Sequence, residues 1–446
     1  VSGQESHVLS GEMHRQYISI ERSEGIYLYD QDGRRIIDAS GGPIMASLGH
    51  GLDEMADALR DQAKKCVFAF RWDFTTPILE EASAKVCEVT GGAMDKVFFV
   101  SGGSEATEIA FKLARKYHLD NGEPSRFGVI SRWMGFHGFT SGALSMTGFP
   151  GRRADFIPYL RDFGHIAPAY CYRCWYNLKP ETCDLECAQA LEHEILCQGP
   201  QNVSAFIAEP ISGMALCAAC PRQDYFQKIR QICDKYGVLL ILDEVMTGFG
   251  RTGKWMAYEH FGVVPDIVAL GKGLGGGYFP VGAVACTARV AETIASGSGV
   301  FGVGHTWMGN PLASAVVVKA IEYLRRHNLI QRSAEMGEYL IQRLKELRSH
   351  PTVGDIRGKG LMIGLEFVKD QETKEILDPG LKYYSQVALE ALKQGMFLEA
   401  GGGCERGRGG DMLMFGPPFI VTRDQIDEMV AILDKVLSVV EKRIGF

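Results

Sequence analysis

The sequence predicts an α/β protein with a large, mainly parallel sheet domain and a smaller α+β domain after it. Three observations carry this. Between Val97 and Cys286, short β-rich runs alternate with helical stretches. Most of these runs are continuously apolar, as in strands buried on both faces of a parallel sheet. From about Pro311 the texture shifts to long helices and a glycine-punctuated strand. A length of 446 residues suits one large and one smaller domain.

The expected organisation has three parts. Residues 1–60 form an N-terminal segment that packs with the small domain, 61–310 form the large domain, and 311–446 form the small one. The strand runs of the large domain are Val97–Val100, Phe127–Ile130, Ala205–Ala208, Val238–Leu242 and Ile267–Leu270. Glu105–His118 and Tyr225–Tyr236 read as helices, the second stopped by Gly237. In the small domain, Leu312–His327 and Ala334–Leu347 read as helices and Ile356–Phe367 as a strand. The glycine-dense stretch Ala400–Gly410 reads as a mobile loop, and Asp424–Lys442 as an amphipathic helix. In an open α/β sheet, ligands bind at the carboxyl ends of the strands.

Composition narrows the class of function. The chain is 46% hydrophobic and 23% charged, which is the make-up of a globular protein. A formal net charge of −7 argues against nucleic acid as the main partner. No apolar run is long enough to span a membrane. The opening Val1-Ser-Gly-Gln-Glu-Ser-His has no basic-then-apolar pattern, so the chain is read as cytoplasmic. The 12 cysteines are therefore expected to be reduced thiols.

Two strand ends carry the chemistry. Lys272 follows the apolar run Ile267–Leu270 and opens a glycine-rich turn. Flanking glycines let a flat ligand approach, and crowding lowers a lysine's pKa and makes its amine a nucleophile. Upstream, Val238–Leu242 ends in Asp243-Glu244-Val245. A strand-end lysine with a strand-end aspartate is what a pyridoxal 5′-phosphate (PLP) site needs. The lysine forms a Schiff base, and the carboxylate keeps the pyridine nitrogen protonated so the ring accepts electrons. If extended geometry persists, Asp243 and Val245 share the cofactor face while Glu244 points away. Gly102, Gly103 and Ser104 lie just before a helix, whose free N–H groups suit a phosphate.

Gly248-Phe-Gly-Arg-Thr-Gly-Lys-Trp255 competes as a nucleotide motif, since it fits G-x-G-x-x-G and nearly fits the phosphate loop. Both fail on mechanics. The phosphate loop needs a hydroxyl after its lysine, and Trp255 stands there. The dinucleotide motif needs its glycines directly after the strand, and Asp243–Thr247 intervene. A structural glycine turn is the better reading.

Ser101–Ala106, Phe136-His137-Gly138, Glu209-Pro210, Asp243–Gly253, Gly271-Lys272-Gly273 and Pro417-Pro418 together resemble the class III (ω-amino acid) aminotransferases of the fold-type I PLP enzymes. The order and spacing match from about residue 20 onward. The resemblance implies PLP as cofactor, with Lys272 as Schiff-base lysine and proton shuttle and Asp243 on the ring nitrogen. It implies Val245 and Phe136 against the two ring faces, His137 and Glu209 beside the cofactor, and Gly102, Gly103 and Ser104 at the phosphate. Thr306 would reach the phosphate of a neighbouring subunit, which implies a homodimer with shared active sites. Many relatives have tyrosine at the position of Phe136 and glutamine at that of Met246. For the substrate carboxylate, Arg408 and Arg406 qualify, with Arg71 beside Trp72 as a further candidate.

The implied activity moves an amino group from a primary amine or ω-amino acid to an oxo acid such as pyruvate or 2-oxoglutarate. The same fold also serves decarboxylating transaminases, racemases and phospholyases; a nucleotide-binding protein is the alternative of another class. Cys171, Cys174, Cys183 and Cys187 have zinc-like spacing. No nearby His pair supports zinc, so packed thiols and no metal are expected.

Overall fold

The computed structural model describes residues 7–446. Its centre is a seven-stranded sheet with the order Lys96–Val100, Gly282–Cys286, Ile267–Leu270, Leu239–Asp243, Val203–Ala208, Gly128–Arg132, Gly164–Ile166. Gly282–Cys286 runs antiparallel to both of its neighbours, and the remaining pairings are parallel. The sheet is thus mainly parallel, as expected. The strands Val203–Ala208, Leu239–Asp243 and Ile267–Leu270 are buried at every residue. That is why they read as unbroken apolar runs, since helices cover both faces. Gly282–Cys286 and Gly164–Ile166 carry little strand signal in the sequence: the first is small residues, the second three residues long.

Helices close the crossovers. Gly103–Asp120 packs back on the sheet, and Tyr225–Tyr236 ends at Gly237, whose φ of 65° sets the left-handed cap. Pro311–Arg326 starts on Asn310, whose side chain accepts from the N–H groups of Leu312 and Ala313. Leu329–Lys345 and Arg423–Ile444 follow near their expected places.

Two expectations need correction. Ile356–Phe367 is not one strand but the turn of a hairpin, Val353–Lys359 against Met362–Phe367. Gly360, at φ +53°, makes the reversal, and a Cβ there would meet the Thr252 backbone. Ala400–Gly410 is likewise not a free loop. Glu399–Gly402 pairs antiparallel with Asp411–Phe415, and residues 403–410 fold back through bonds from Gly403 N–H to Gly410 O and from Glu405 N–H to Gly409 O. A further sheet joins Ile20–Glu24, Tyr27–Asp30 and Arg35–Asp38 to Met396–Phe397, so the beginning of the chain is stitched to its last quarter.

Candidate active site

At the carboxyl ends of the central strands lies a cavity of about 320 Å³. Lys272, Asp243, Val245, Glu209, Phe136, His137, Gly103 and Ser104 all line it. The strand Leu239–Asp243 delivers Asp243 and, two residues on, Val245. Glu244 turns away and is fully buried, accepting from the Tyr258 N–H at 2.8 Å and from the Thr247 hydroxyl. Burial raises its carboxyl to about 7.

Lys272 follows the strand Ile267–Leu270 at a φ of 41°, a left-handed conformation rare for a long side chain. This bend sends Nζ to the carbonyl of Pro43, 2.8 Å away, in an N-terminal turn that also lines the cavity. Burial lowers the Lys272 pKa, while Glu399, Asp243 and Glu209 oppose the shift. A neutral amine is the nucleophilic form.

Asp243 is held from two sides. Its Oδ2 lies 2.7 Å from His137 Nδ1, and its Oδ1 accepts from the Val245 N–H at 3.1 Å. His137 is itself fixed, because its N–H donates to Thr147 Oγ1 and its carbonyl accepts from Thr107 Oγ1. Glu209, just past its strand, accepts from Gly213 N–H at 2.9 Å and Phe136 N–H at 3.3 Å. Burial raises its pKa.

Gly102 caps the eighteen-residue helix Gly103–Asp120 with no side-chain bond. The first turn of any helix leaves N–H groups without intrahelical partners and a positive dipole end. A Cβ at Gly103 would come within 2.7 Å of Val245 Cγ1, so only glycine leaves this end open beside that side chain. The helix end offers donors for a phosphate, and Asp243 offers a fixed carboxylate for a pyridinium. Lys272 offers an amine for an aldehyde, and Val245 and Phe136 offer apolar surface for a ring. These residues fit PLP.

Other candidates lie elsewhere. Arg406 and Arg408 are exposed on the folded-back loop, both beside Glu405. Neither lines the cavity, because Gly403–Gly410 closes on itself and turns them outward. The carboxylate role expected of them is not supported by this placement. The arginine that lines the cavity is Arg152, in the short helix Pro150–Arg153. Arg71 and Trp72 line a different cavity with Met308 and Gly309, and Thr306 is exposed nearby. Met246 lines the main cavity, as do Phe149, Met214 and Glu399.

The nucleotide-like stretch is a packing turn. A Cβ at Gly250 would meet Ile330 at 2.4 Å, and one at Gly253 would meet Ala334 at 2.8 Å. Its glycines admit a helix, not a phosphate. Cys171, Cys174, Cys183 and Cys187 line one small cavity of about 20 Å³, and all are free thiols. Among the described residues, no group of three or more His, Cys, Asp or Glu is arranged to hold a metal ion.

An α/β domain with this lysine, aspartate and helix end defines a PLP-dependent enzyme of the transferase fold. Comparison with known proteins gives the family. The family model for class III aminotransferases matches residues 9–437. A putrescine–pyruvate aminotransferase of Pseudomonas aeruginosa is 36% identical, over 94% of this chain and 90% of its own length. A diaminobutyrate–2-oxoglutarate transaminase of Halomonas elongata is 34% identical, with the same shares covered. An (S)-enantioselective ω-transaminase from Thermomicrobium roseum superposes with a TM-score of 0.90 at 35% identity, over 96% of this chain and 94% of that one. The chain belongs to the class III aminotransferase family. It is a PLP-dependent transaminase that moves an amino group from an amine donor to an oxo acid.

Proposed function

We propose that this enzyme accepts primary amines whose amino group is remote from any carboxylate, with Lys272 and Asp243 as its catalytic pair. The supporting observation is their convergence on one cavity, with the Asp243 carboxylate pinned by His137 and the Lys272 amine depressed by burial. Bound PLP supplies an aldehyde to take up the amine and a protonated ring to accept electrons. Asp243 holds the proton on the ring nitrogen, and His137 keeps that carboxylate oriented. Lys272 Nζ takes the proton from the amine-bearing carbon of the donor and later delivers one to the acceptor-derived carbon. Gly102, Gly103 and Ser104 would anchor the phosphate, and Val245 and Phe136 would flank the ring with apolar surface. Phe136 meets Phe139 edge-on at 5.3 Å, which stiffens that wall.

Arg152 takes the carboxylate of the oxo acid in this scheme. It lines the cavity, and its guanidinium can bind a carboxylate through two parallel bonds. The same proposal includes a homodimer to which Thr306, Arg71 and Trp72 contribute, the domain limits 61–310 and 311–446, and a cytoplasmic location in keeping with twelve free thiols. The test is a panel of amine donors run against pyruvate and 2-oxoglutarate with wild type and Arg152→Ala. Turnover of amines lacking a carboxylate, with a higher KM for the oxo acid in the variant, is expected. Turnover of α-amino acids alone, or an unchanged oxo-acid KM, refutes the corresponding half.

A further inference from the structure

Two acids of the cavity, Glu209 and Glu399, have no part in the reaction as described; Glu209 is satisfied by the N–H groups of Gly213 and Phe136, and Glu399 is not. Glu399 begins the strand Glu399–Gly402 and lines the cavity within electrostatic reach of Lys272. Its backbone N–H is tied to Ser40 Oγ at 2.7 Å, and Ser40 in turn bonds the Met414 carbonyl, so the residue is set on rigid backbone. Its Oε2 is buried and has no hydrogen-bond partner. A buried carboxylate oxygen left unpaired is costly, and at the wall of a substrate cavity a bound ligand is the partner that can complete it. Burial pushes the Glu399 pKa up, and the positive charges of Lys272 and Arg152 push it back.

The sign of the charge decides the ligand. A carboxylate attracts cations and repels the oxo acid's carboxylate. The oxo acid is served instead by Arg152, which lines the same cavity within electrostatic reach of Glu399. The remaining substrate is the amine donor. Its reacting amino group must be directed at Lys272, so the cation facing Glu399 is a second one, farther along the same molecule. An alkylammonium group carries three N–H donors and suits a carboxylate that lacks any.

We propose that Glu399 is a specificity-determining residue that binds the distal ammonium of a diamine donor, so that this transaminase prefers donors with a second positive charge. This rests on the transaminase reading and narrows its substrate class. The wall around Glu399 fits a diamine: Phe149 and Met214 supply apolar surface for the methylene chain between the two nitrogens.

The test compares putrescine with n-pentylamine, which has the same reach but ends in a methyl group. On wild-type holoenzyme, kcat/KM for putrescine is expected to exceed that for pentylamine by at least about tenfold, on the scale of one charge-assisted contact. In Glu399→Gln the putrescine-to-pentylamine ratio should fall by about 10- to 100-fold, mainly through the putrescine KM. Binding of N,N-dimethylpentylamine, which is protonated at neutral pH and keeps one N–H donor but has no primary amine to react, should weaken in parallel by calorimetry. A wild type that does not favour putrescine overturns the proposal without any variant. So does an equal loss on both donors in Glu399→Gln, which makes Glu399 a positioning residue for Lys272. Absence of amino transfer from every donor would instead strike the transaminase reading itself.

Discussion

Asp243 and Glu244 are neighbouring carboxylates with opposite surroundings. Asp243 faces the cavity and His137, whereas Glu244 is enclosed by Thr247 and the Tyr258 N–H. Asp243→Asn cannot hold a proton on a ring nitrogen, so its kcat should fall at least ~100-fold, the scale of a lost transition-state electrostatic contact. Glu244→Gln should keep most of the activity, and equal losses in steady-state kinetics would refute the face assignment. Glu244 should show itself in stability. Its carboxyl rises to about 7 on folding from an ordinary 4.5, so the folded state holds the proton longer than the unfolded chain. Its contribution is fully present below about 4.5 and is lost as pH rises through 7. Melting curves between those limits should therefore fall less steeply with pH in Glu244→Gln than in wild type. The alternation that separates these two acids was legible because a strand has period two. Glu399 and Arg152 were not legible as site residues. Each reaches the cavity from a segment distant in sequence, and no local spacing marks that approach.

The N-terminal end of helix Gly103–Asp120 is the element on which the phosphate role depends. A methyl group at residue 103 would press on Val245 Cγ1 at 2.7 Å, and Val245 is also proposed to cover the ring. Gly103→Ala should thus displace that side chain at about 1–3 kcal/mol, the range for overpacking. PLP retention through gel filtration should drop about tenfold or more while the fold persists. Unaltered retention would show that the phosphate sits elsewhere. Continuous apolar runs made the central strands readable, since their burial on both faces is written residue by residue. The hairpin Val353–Phe367 resembles a single strand in sequence because its reversal at Gly360 is set by φ, and glycines recur along the whole stretch. Gly248–Trp255 resembled a phosphate loop because close packing and phosphate binding both demand glycine. Ile330 and Ala334, which decide between them, lie some eighty residues on.

At the scale of the whole molecule, one face gathers exposed aromatic side chains. Phe68, Phe70, Trp72, Phe74 and Trp307 are exposed, and Phe68 meets Trp307 edge-on at 6.0 Å. Thr306 and Arg71 belong to the same face. Exposed aromatic side chains gathered in this way suit the dimer interface proposed above. Trp307→Asp is expected to give monomers in sedimentation velocity, with weaker PLP retention if Thr306 completes the neighbour's phosphate site. A variant that stays dimeric would place the interface elsewhere.

The proposed chemistry turns on Lys272, and one measurement reaches it directly. The purified protein is loaded with PLP, reduced with borohydride, digested and mapped by mass spectrometry. The expected result is a single phosphopyridoxyl adduct on the peptide containing Lys272, absent when the protein is first treated with an amine donor and restored by an oxo acid. An adduct on another lysine, or one indifferent to donor and acceptor, would contradict the assignment.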